Sequence, residues 1–229
     1  MCLMSTTRRE PREGAVLLCY ITDRAQFTGR PEEQKRSLLD KIAECAVAGV
    51  DYVQLREKDL SPREREDLAR QAVAAIPSSS RTSLLINSRI DVALAAGAHG
   101  VHLPAHDLSP SDVRVIWDRA GRTGSVIGLS AHTSDDVSQA EAHGADFALF
   151  APVFEKNGVA NPVGMMQLWR ACHRPHPAGA PMPVLALGGV TLKNARQCLD
   201  SGAAGIAGIR LFQQSDVKAT VERLRSLRV

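Results

Sequence analysis

The sequence predicts a single-domain α/β protein, a closed (β/α)8 barrel of the TIM type, on three observations. The length of 229 residues is typical of one such barrel. A short glycine-containing segment recurs four times, and apolar runs alternate with segments of helical periodicity. An open doubly wound sheet is the alternative. A fourfold βαβα period favours closure, because equivalent units give every strand the same two neighbours, and we assign the barrel to residues 15–229.

The repeat reads AGVDYVQL at residues 48–55, AGAHGVHL at 96–103, HGADFALF at 143–150 and SGAAGIAG at 201–208. A helical pattern precedes each copy. We therefore expect each glycine to end a helix in the left-handed conformation, immediately before a buried parallel strand. The intervening strands are predicted at residues 16–21, 84–87, 125–129 and 184–187.

Composition narrows the class of function. The formal charge is +3, from 28 basic and 25 acidic residues, which argues against nucleic-acid binding. No segment approaches the roughly 20 apolar residues of a membrane span. Five widely spaced cysteines without a C-x-x-C pair predict free thiols in a reducing cytoplasm, not a zinc site. The oligomeric state is left open, a homo-oligomer included.

Residues 1–14 carry Arg8, Arg9 and Arg12 but no apolar pattern and no apolar run of signal-peptide length. We predict that this segment is a disordered N-terminal extension. Because nothing in it directs export, we expect a cytoplasmic protein.

Reactive groups of such barrels follow the C-terminal ends of the strands. Strand two runs into QLREK at residues 54–58. If the extended backbone persists, Gln54, Arg56 and Lys58 point together into the barrel mouth and form an anion site, in which Arg binds phosphate through two hydrogen bonds. The alternative is a solvated loop whose cations pair with the adjacent carboxylates. The position just past a barrel strand favours the anion site, and we assign this segment, with Glu57, to substrate binding.

Strands three and four are followed by further candidates. Asn87 ends strand three, where it either contacts a ligand or caps the next helix. His102 has the same place in the repeat as Gln54, and Asp107 follows it. Near a diphosphate, Asp107 would suit Mg²⁺, which takes one or two carboxylates together with phosphate oxygens and water. Otherwise Asp107 or Ser109 caps helix four.

The last four strands offer weaker signals. His132, after strand five, is a candidate proton-transfer group. Lys156 lies in the loop after strand six, which either reaches a ligand or is a plain connector. GG at 188–189 and GIR at 208–210 follow strands seven and eight, and the first runs into a helix predicted near Thr191. Glycine turns and helix N-termini at these positions bind phosphate in many barrels, and tight packing is the alternative reading.

Taken in order, these motifs resemble the thiamine-phosphate synthase family and its thiazole-tautomerase relatives. The resemblance spans residues 17–224 and rests on YITD at 20–23, VQLREK at 53–58, NSRIDVALAAGAHGVHL at 87–103, IGLSAHT at 127–133, GADFALFAPVF at 144–154 and LALGGV at 185–190. It implies a transferase that couples 4-amino-2-methyl-5-(diphosphooxymethyl)pyrimidine with a carboxythiazole phosphate. The products would be thiamine phosphate, diphosphate and CO2.

The resemblance also implies roles for single residues. Asp107 would bind the cofactor Mg²⁺. The candidate catalytic residues are Ser130, His132 and Lys156. The residues assigned to the phosphorylated pyrimidine and thiazole substrates are Gln54, Arg56, Glu57, Lys58, Asn87, Ser130, Lys156, Gly188, Gly189, Ile209 and Arg210.

Three features depart from the family pattern. Ser88 stands where an aspartate usually supplies a second metal ligand, EKNG at 155–158 replaces a threonine-rich loop, and Arg210 replaces a serine. Lys156 and Arg210 would then hold a phosphate by charge.

Two features resemble the tautomerase branch, namely Asn-Ser-Arg at 87–89 and PVFEK at 152–156, and His132 matches the base of that branch. The VQLREK motif and Asp107 favour the synthase. A noncatalytic barrel that binds thiamine precursors is the third hypothesis.

Overall fold

Eight parallel strands close into a barrel in the order β1 to β8 in the computed structural model of the chain. The structure describes residues 14–105, 107–154, 164–176 and 180–227. The strands are β1 (Leu17–Ile21), β2 (Tyr52–Leu55), β3 (Ser83–Asn87), β4 (Gly100–Leu103), β5 (Val126–Ala131), β6 (Phe147–Phe150), β7 (Val184–Ala186) and β8 (Gly205–Gly208). The predicted single (β/α)8 barrel is confirmed. Apart from Gly14, the predicted N-terminal extension lies outside the described residues.

Helices follow the strands around the outside of the barrel. Within the described ranges they are α1 (Pro31–Ala48), α2 (Pro62–Ala75), α3 (Ile90–Ala96), α4 (Pro110–Arg119), α5 (Ser134–Ala142), α6 (Gly164–Cys172), α7 (Ala195–Asp200), α8 (Arg210–Gln213) and α9 (Val217–Arg225). A short 3-10 turn (Arg24–Gln26) follows β1. None of the helices in the described part of the chain has the length and apolar content needed to cross a membrane.

The repeat glycines have the conformation that the sequence predicts. Gly49, Gly97, Gly144 and Gly202 have φ of 89°, 74°, 78° and 92°, where residues with a Cβ are strained. They end or directly follow the four helices that precede β2, β4, β6 and β8.

The residue two places after each of the first three repeat glycines ties neighbouring strands together. Oδ2 of Asp51 accepts a hydrogen bond from the backbone N–H of Leu18 at 2.7 Å, and Oδ2 of Asp146 accepts one from that of Ile127 at 2.7 Å. The corresponding His99 accepts from the backbone N–H of Leu84 through Nδ1 at 3.0 Å. The repeat therefore specifies strand pairing as well as helix ends.

The helix starts decide two open alternatives and correct one expectation. Asn87 does not cap α3, because Arg89 holds the N-cap position and the Asn87 side chain is engaged elsewhere. The helix expected near Thr191 begins only at Ala195, because the side chain of Asn194 accepts from the N–H of Thr191 and forms a turn before the helix. Ser109 caps α4, which resolves the alternative between Asp107 and Ser109.

The barrel interior is filled by side chains from alternate strand positions. The ring of Tyr52 on β2 stacks on that of Phe147 on β6, with centroids 4.4 Å apart. Gly128 on β5 leaves room for this pair, since a Cβ there would lie 2.5 Å from Phe147. The inner cluster comprises Leu17, Cys19, Ile21, Tyr52, Leu85, Val126, Phe147, Leu149, Leu185 and Ala207. This apolar cluster therefore closes the barrel interior beneath the polar groups at the C-terminal ends of the strands.

We predict that Gly128→Ala lowers the free energy of unfolding by about 1–3 kcal/mol, because the added methyl overpacks the Tyr52–Phe147 stack. Chemical denaturation measures the loss. The double variant Gly128→Ala/Phe147→Leu is the control, and it should lose less than the sum of the two single variants. Additive losses would show that Gly128 and Phe147 do not compete for space.

Candidate active site

The C-terminal end of the barrel presents a row of inward-facing polar residues. Tyr52 and Leu85 belong to the inner cluster, so Gln54 and Asn87, each two residues further along its strand, face the same side. Asn87 lies directly beside His102 in the pairing of β3 with β4. Three neighbouring strands thus deliver an amide, an amide and an imidazole to one end of the barrel.

Gln54 joins these groups into one buried network. Its Nε2 donates to Oδ1 of Asn87 at 2.8 Å and lies 3.0 Å from Nδ1 of His102. Gln54 and His102 are each only 2% exposed. With the Gln54 amide as the donor, Nδ1 of His102 is the acceptor and the ring proton is on Nε2.

His102 is held neutral by its surroundings. Burial, and to a lesser degree the positive charge of Arg56, lower the pKa of His102 from its usual 6.5 to about 3. Arg56 is half-buried two residues past Gln54, and its positive charge acts on the His102 ring. A guanidinium and a neutral imidazole therefore stand together at this end of the barrel.

The segment after β2 does not stay extended as the anion-site prediction required. Strand β2 ends at Leu55, and Arg56 donates its backbone N–H to Oγ1 of Thr22 at 2.9 Å. Arg56 remains beside the buried network, whereas Lys58 is exposed in a turn. The alternation argument thus holds for Gln54 and Arg56 but does not extend to Lys58, whose role in substrate binding stays a prediction.

Glu57 holds the loop after β2 in place through contacts with Thr22 and Arg24. It is 4% exposed, and its Oε1 accepts from Oγ1 of Thr22 at 2.6 Å. Its Oε2 pairs with Nη1 of Arg24 at 3.0 Å, and Arg24 also pairs with Asp59 at 2.5 Å. We therefore reassign Glu57 from substrate contact to support of the loop, because its carboxylate is occupied. The alternative reading, in which Arg56 and Lys58 pair with these carboxylates, is not what the structure shows, because Arg24 pairs with both.

Arg24 and Thr22 are the residues that sequence reasoning missed. Hydrogen bonds from Arg24 to Asp59 and Glu57 raise the pKa of Arg24, and the bond to Arg24 lowers the pKa of Asp59. The available signal was the YITD motif, which places Thr22 one residue past β1.

Ser88 adopts a backbone conformation that is unusual for its residue type. Its φ is 61°, in the left-handed region. Its backbone N–H donates to the carbonyl of His102 at 2.9 Å, and its Oγ accepts from Nδ2 of Asn87 at 3.1 Å. The following Arg89 pairs with Asp91 at 2.5 Å. Ser88 therefore completes the hydrogen bonding of Asn87.

Asp107 is the carboxylate that the sequence suggests for Mg²⁺. It is exposed, and its Oδ1 accepts from the backbone N–H of Leu108 at 2.9 Å. The described residues contain no group of three or more His, Cys, Asp or Glu arranged to hold a metal ion. One carboxylate oxygen fits a Mg²⁺ ion that is bound mainly by substrate phosphate oxygens and water. It does not fit an ion held by the protein alone.

Ser130 and His132 lie two residues apart at the end of β5, where Ser130 is half-buried and His132 is exposed. Nδ1 of His132 lies 2.7 Å from the carbonyl oxygen of Ala151. A carbonyl is only an acceptor, so Nδ1 carries the proton and Nε2 is the acceptor of the ring. Lys156 lies outside the described residues, so its catalytic and binding roles stay predictions.

The two glycine turns meet at one open cavity of about 430 Å³. Gly188 is also needed for tight packing, the alternative role of these glycines, because a Cβ on it would lie 2.7 Å from Cα of Pro152. Arg210 is exposed at the first residue of α8, which is only four residues long. The cavity is lined by Gln26, Leu187, Gly188, Gly189, Val190, Thr191, Ala207, Gly208, Ile209, Arg210 and Leu211. The structure thus brings Gly188, Gly189, Ile209 and Arg210 together, whereas Lys156 lies outside the described residues, and the role of all five stays a prediction.

Comparison with known proteins is consistent with this arrangement. The sequence pattern of the thiamine monophosphate synthase family matches residues 18–212, from β1 to α8. The chain belongs to this family. Within the thiamine monophosphate synthase family, the chain is 38% identical over 197 residues to the putative thiamine-phosphate synthase 2 of Aquifex aeolicus, covering 85% of this chain and 96% of that protein.

Two further relatives extend the similarity within the thiamine monophosphate synthase family. The thiamine-phosphate synthase of Halalkalibacterium halodurans is 36% identical over 200 residues, covering 86% of this chain and 90% of that protein. The solved structure of a thiamine phosphate pyrophosphorylase from Pyrococcus furiosus superimposes with a TM-score of 0.74 at 27% identity, covering 93% and 96% of the two chains.

We predict that acid destabilises this protein through His102. Because its pKa is lower in the folded chain than in the unfolded chain, its contribution is complete above about pH 6.5 and is lost as the pH falls. The free energy of unfolding should drop by at most about 1.4 kcal/mol per pH unit between about pH 6 and pH 4 from this group. Urea denaturation across this range measures the slope. His102→Gln should reduce it, and identical slopes in both proteins would contradict the assignment.

Proposed function

We propose that this protein is a thiamine-phosphate synthase that joins an aminopyrimidine methyl diphosphate to a carboxythiazole phosphate. The observation that carries the proposal is the buried Gln54–Asn87–His102 network with Arg56 beside it, at the same end of the barrel as the glycine-lined cavity. The network offers polar groups and a cation for a pyrimidine diphosphate, and the glycine-lined cavity offers backbone N–H groups for a second phosphate. Two anionic substrates require two such places.

The chemistry follows from the charges. The carbon–oxygen bond of the diphosphooxymethyl group breaks, and diphosphate leaves with the electron pair. The Arg56 guanidinium would stabilise that developing charge, which is worth most in a partly buried site. The electron-rich aminopyrimidine tolerates the positive methylene, and the thiazole nitrogen then forms the new carbon–nitrogen bond. Loss of CO2 completes the reaction.

We infer that Mg²⁺ serves as the cofactor, with Asp107 as its one protein carboxylate. When bound, the ion would neutralise diphosphate charge as a Lewis acid. The exposure of Asp107 supports this assignment, because its carboxylate meets the backbone N–H of Leu108 through Oδ1 and faces solvent. We also propose a cytoplasmic location, which the four free cysteines of the described residues support, namely Cys19, Cys45, Cys172 and Cys198.

One observation favours a second candidate function, isomerisation of the thiazole phosphate carboxylate. His132 is exposed, and its Nδ1–H is held by the Ala151 carbonyl, which leaves Nε2 as a proton acceptor. A fixed tautomer with an accessible acceptor nitrogen suits a general base.

The deciding assay incubates the purified full chain with both phosphorylated precursors and Mg²⁺ and follows thiamine phosphate and diphosphate. Both products are expected in equal amounts. Isomerisation of the thiazole without coupling would support the tautomerase instead. Binding of the phosphate esters without either reaction would support the noncatalytic barrel.

We predict that Arg56→Ala weakens binding of the pyrimidine diphosphate by about 1.5–3 kcal/mol, because it removes one charge-assisted contact. Steady-state kinetics with varied pyrimidine diphosphate measures the rise in KM. Arg63→Ala, on the exposed first turn of α2, is the matched control and should behave as the wild type. An unchanged KM in Arg56→Ala would show that the segment after β2 does not hold the diphosphate.

We predict that Asp107→Ala loses most of its activity and raises the Mg²⁺ concentration for half-maximal rate about tenfold or more, because one ligand of the ion is gone. A Mg²⁺ titration of the initial rate measures this, and Mg²⁺ binding in the presence of diphosphate alone can be followed by calorimetry. Asp118→Ala, at an exposed position late in α4, is the control. A wild-type Mg²⁺ titration in Asp107→Ala would exclude the assignment.

A further inference from the structure

Large apolar side chains are exposed along one helix on the outside of the barrel. Of the seven that are exposed in the described residues, three lie in α4 or just before it, namely Leu108, Val115 and Ile116, which are 47%, 49% and 37% exposed. Single exposed apolar residues are normal in folded proteins. A group of them on one element instead indicates an interaction surface.

The exposed side of α4 is a narrow strip of four residues, which we call the α4 stripe. At 3.6 residues per turn these four side chains fall within an arc of roughly 100° on the helix surface. Val113 and Trp117, which pack into the core, lie on the opposite side of α4. The α4 stripe consists of Asp112, Val115, Ile116 and Arg119.

Neither helix formation nor barrel packing accounts for the apolar centre of the α4 stripe. Val115 and Ile116 are β-branched, so they support a helix less well than the residues usual at exposed helix positions. The contact of α4 with the barrel is already made by Val113 and Trp117, which are 0% and 1% exposed. Val115 and Ile116 are therefore available to a surface outside this chain.

The α4 stripe carries one charge of each sign, at opposite ends. Asp112 precedes Val115 by three residues, and Arg119 follows Ile116 by three. The two charged residues are about 10 Å apart along the helix axis, which is too far for them to pair with each other. Asp112 accepts a hydrogen bond from Oγ of Ser109 at 2.7 Å, and neither charge has an ion-pair partner within the described part of the chain.

We propose that the α4 stripe is a homodimer interface, in which two copies of this chain pack α4 against α4 in antiparallel orientation. The midpoint between Asp112 and Arg119 falls between Val115 and Ile116. A twofold axis through that midpoint sets Asp112 of each copy against Arg119 of the other, and Val115 against Ile116. Every contact is then made twice, as a closed dimer requires. A parallel pair would set like charges opposite each other.

The other exposed apolar pair, on α6, does not offer the same fit. Met166 and Trp169 are exposed there, but the Trp169 ring already stacks on His173 of the same chain, with centroids 4.6 Å apart. Helix α6 contains one basic residue, Arg170, and no acidic residue. It therefore cannot supply charges of both signs to a twofold pair, whereas α4 supplies both.

The first test is sedimentation equilibrium of the full chain over a range of concentrations. We expect a reversible dimer, and Val115→Arg should raise its dissociation constant about 10²-fold or more, because a charge then lies at the apolar centre of the interface. Val47→Arg is the matched control, at a position of α1 that is 77% exposed, and should keep the wild-type value. A wild-type protein that stays monomeric up to about 0.1 mM would overturn the proposal.

The second test reverses the charges of the α4 stripe. Asp112→Lys and Arg119→Glu should each raise the dissociation constant about tenfold or more, because each sets like charges opposite each other twice. The double variant should recover most of the wild-type affinity. An equimolar mixture of the two single variants should form a heterodimer, because the new basic residue of one chain then faces the new acidic residue of the other, and the two unaltered residues face each other.

Circular dichroism and thermal unfolding verify that each variant is folded. Losses that simply add in the double variant, or a mixture that stays monomeric, would overturn the antiparallel arrangement. Dissociation by Met166→Arg but not by Val115→Arg would place the interface on α6 and overturn the proposal. Recovery in both the double variant and the mixture is the result that only a twofold contact through Asp112 and Arg119 produces.

Discussion

The alternation of side chains along closed parallel strands is the constraint on which this protein depends. Once Tyr52 and Phe147 occupy the barrel interior, the residues two positions further along β2, β3 and β4 must face the mouth. Closure places those residues next to each other, and it removes any free sheet edge that would have to be covered. The same alternation along the strands therefore produces both the apolar interior and the polar C-terminal end of the barrel.

Satisfaction of buried polar groups shapes the mouth. The amide of Gln54 is shared between Asn87 and His102, and the carboxylate of Glu57 is shared between Thr22 and Arg24. In each case one side chain binds partners from neighbouring loops or strands, which ties those segments together at the mouth.

Much of the fold and part of the site could be predicted from sequence. The glycine of each repeat has a left-handed backbone conformation, which is strained for residues with a Cβ. Gly49 and Gly97 therefore indicate the helix ends directly. Gln54 and Asn87 were correctly placed at strand ends facing the mouth, because period-two alternation needs only the strand to be known. Glu57 was misjudged, because its partner Arg24 is 33 residues away and no local pattern reveals it.

The sequence alone determined the number of strands, their closure and which segments reach the mouth, since these follow from local periodicity and repeated glycines. Only the tertiary structure decided that the His102 ring lies against the Gln54 amide, that Arg24 rather than Arg56 neutralises Glu57, and that the two glycine turns share a cavity. The physical reason is sequence separation. Gln54 and His102 are 48 residues apart, and the contact between them exists only through the register of three neighbouring strands.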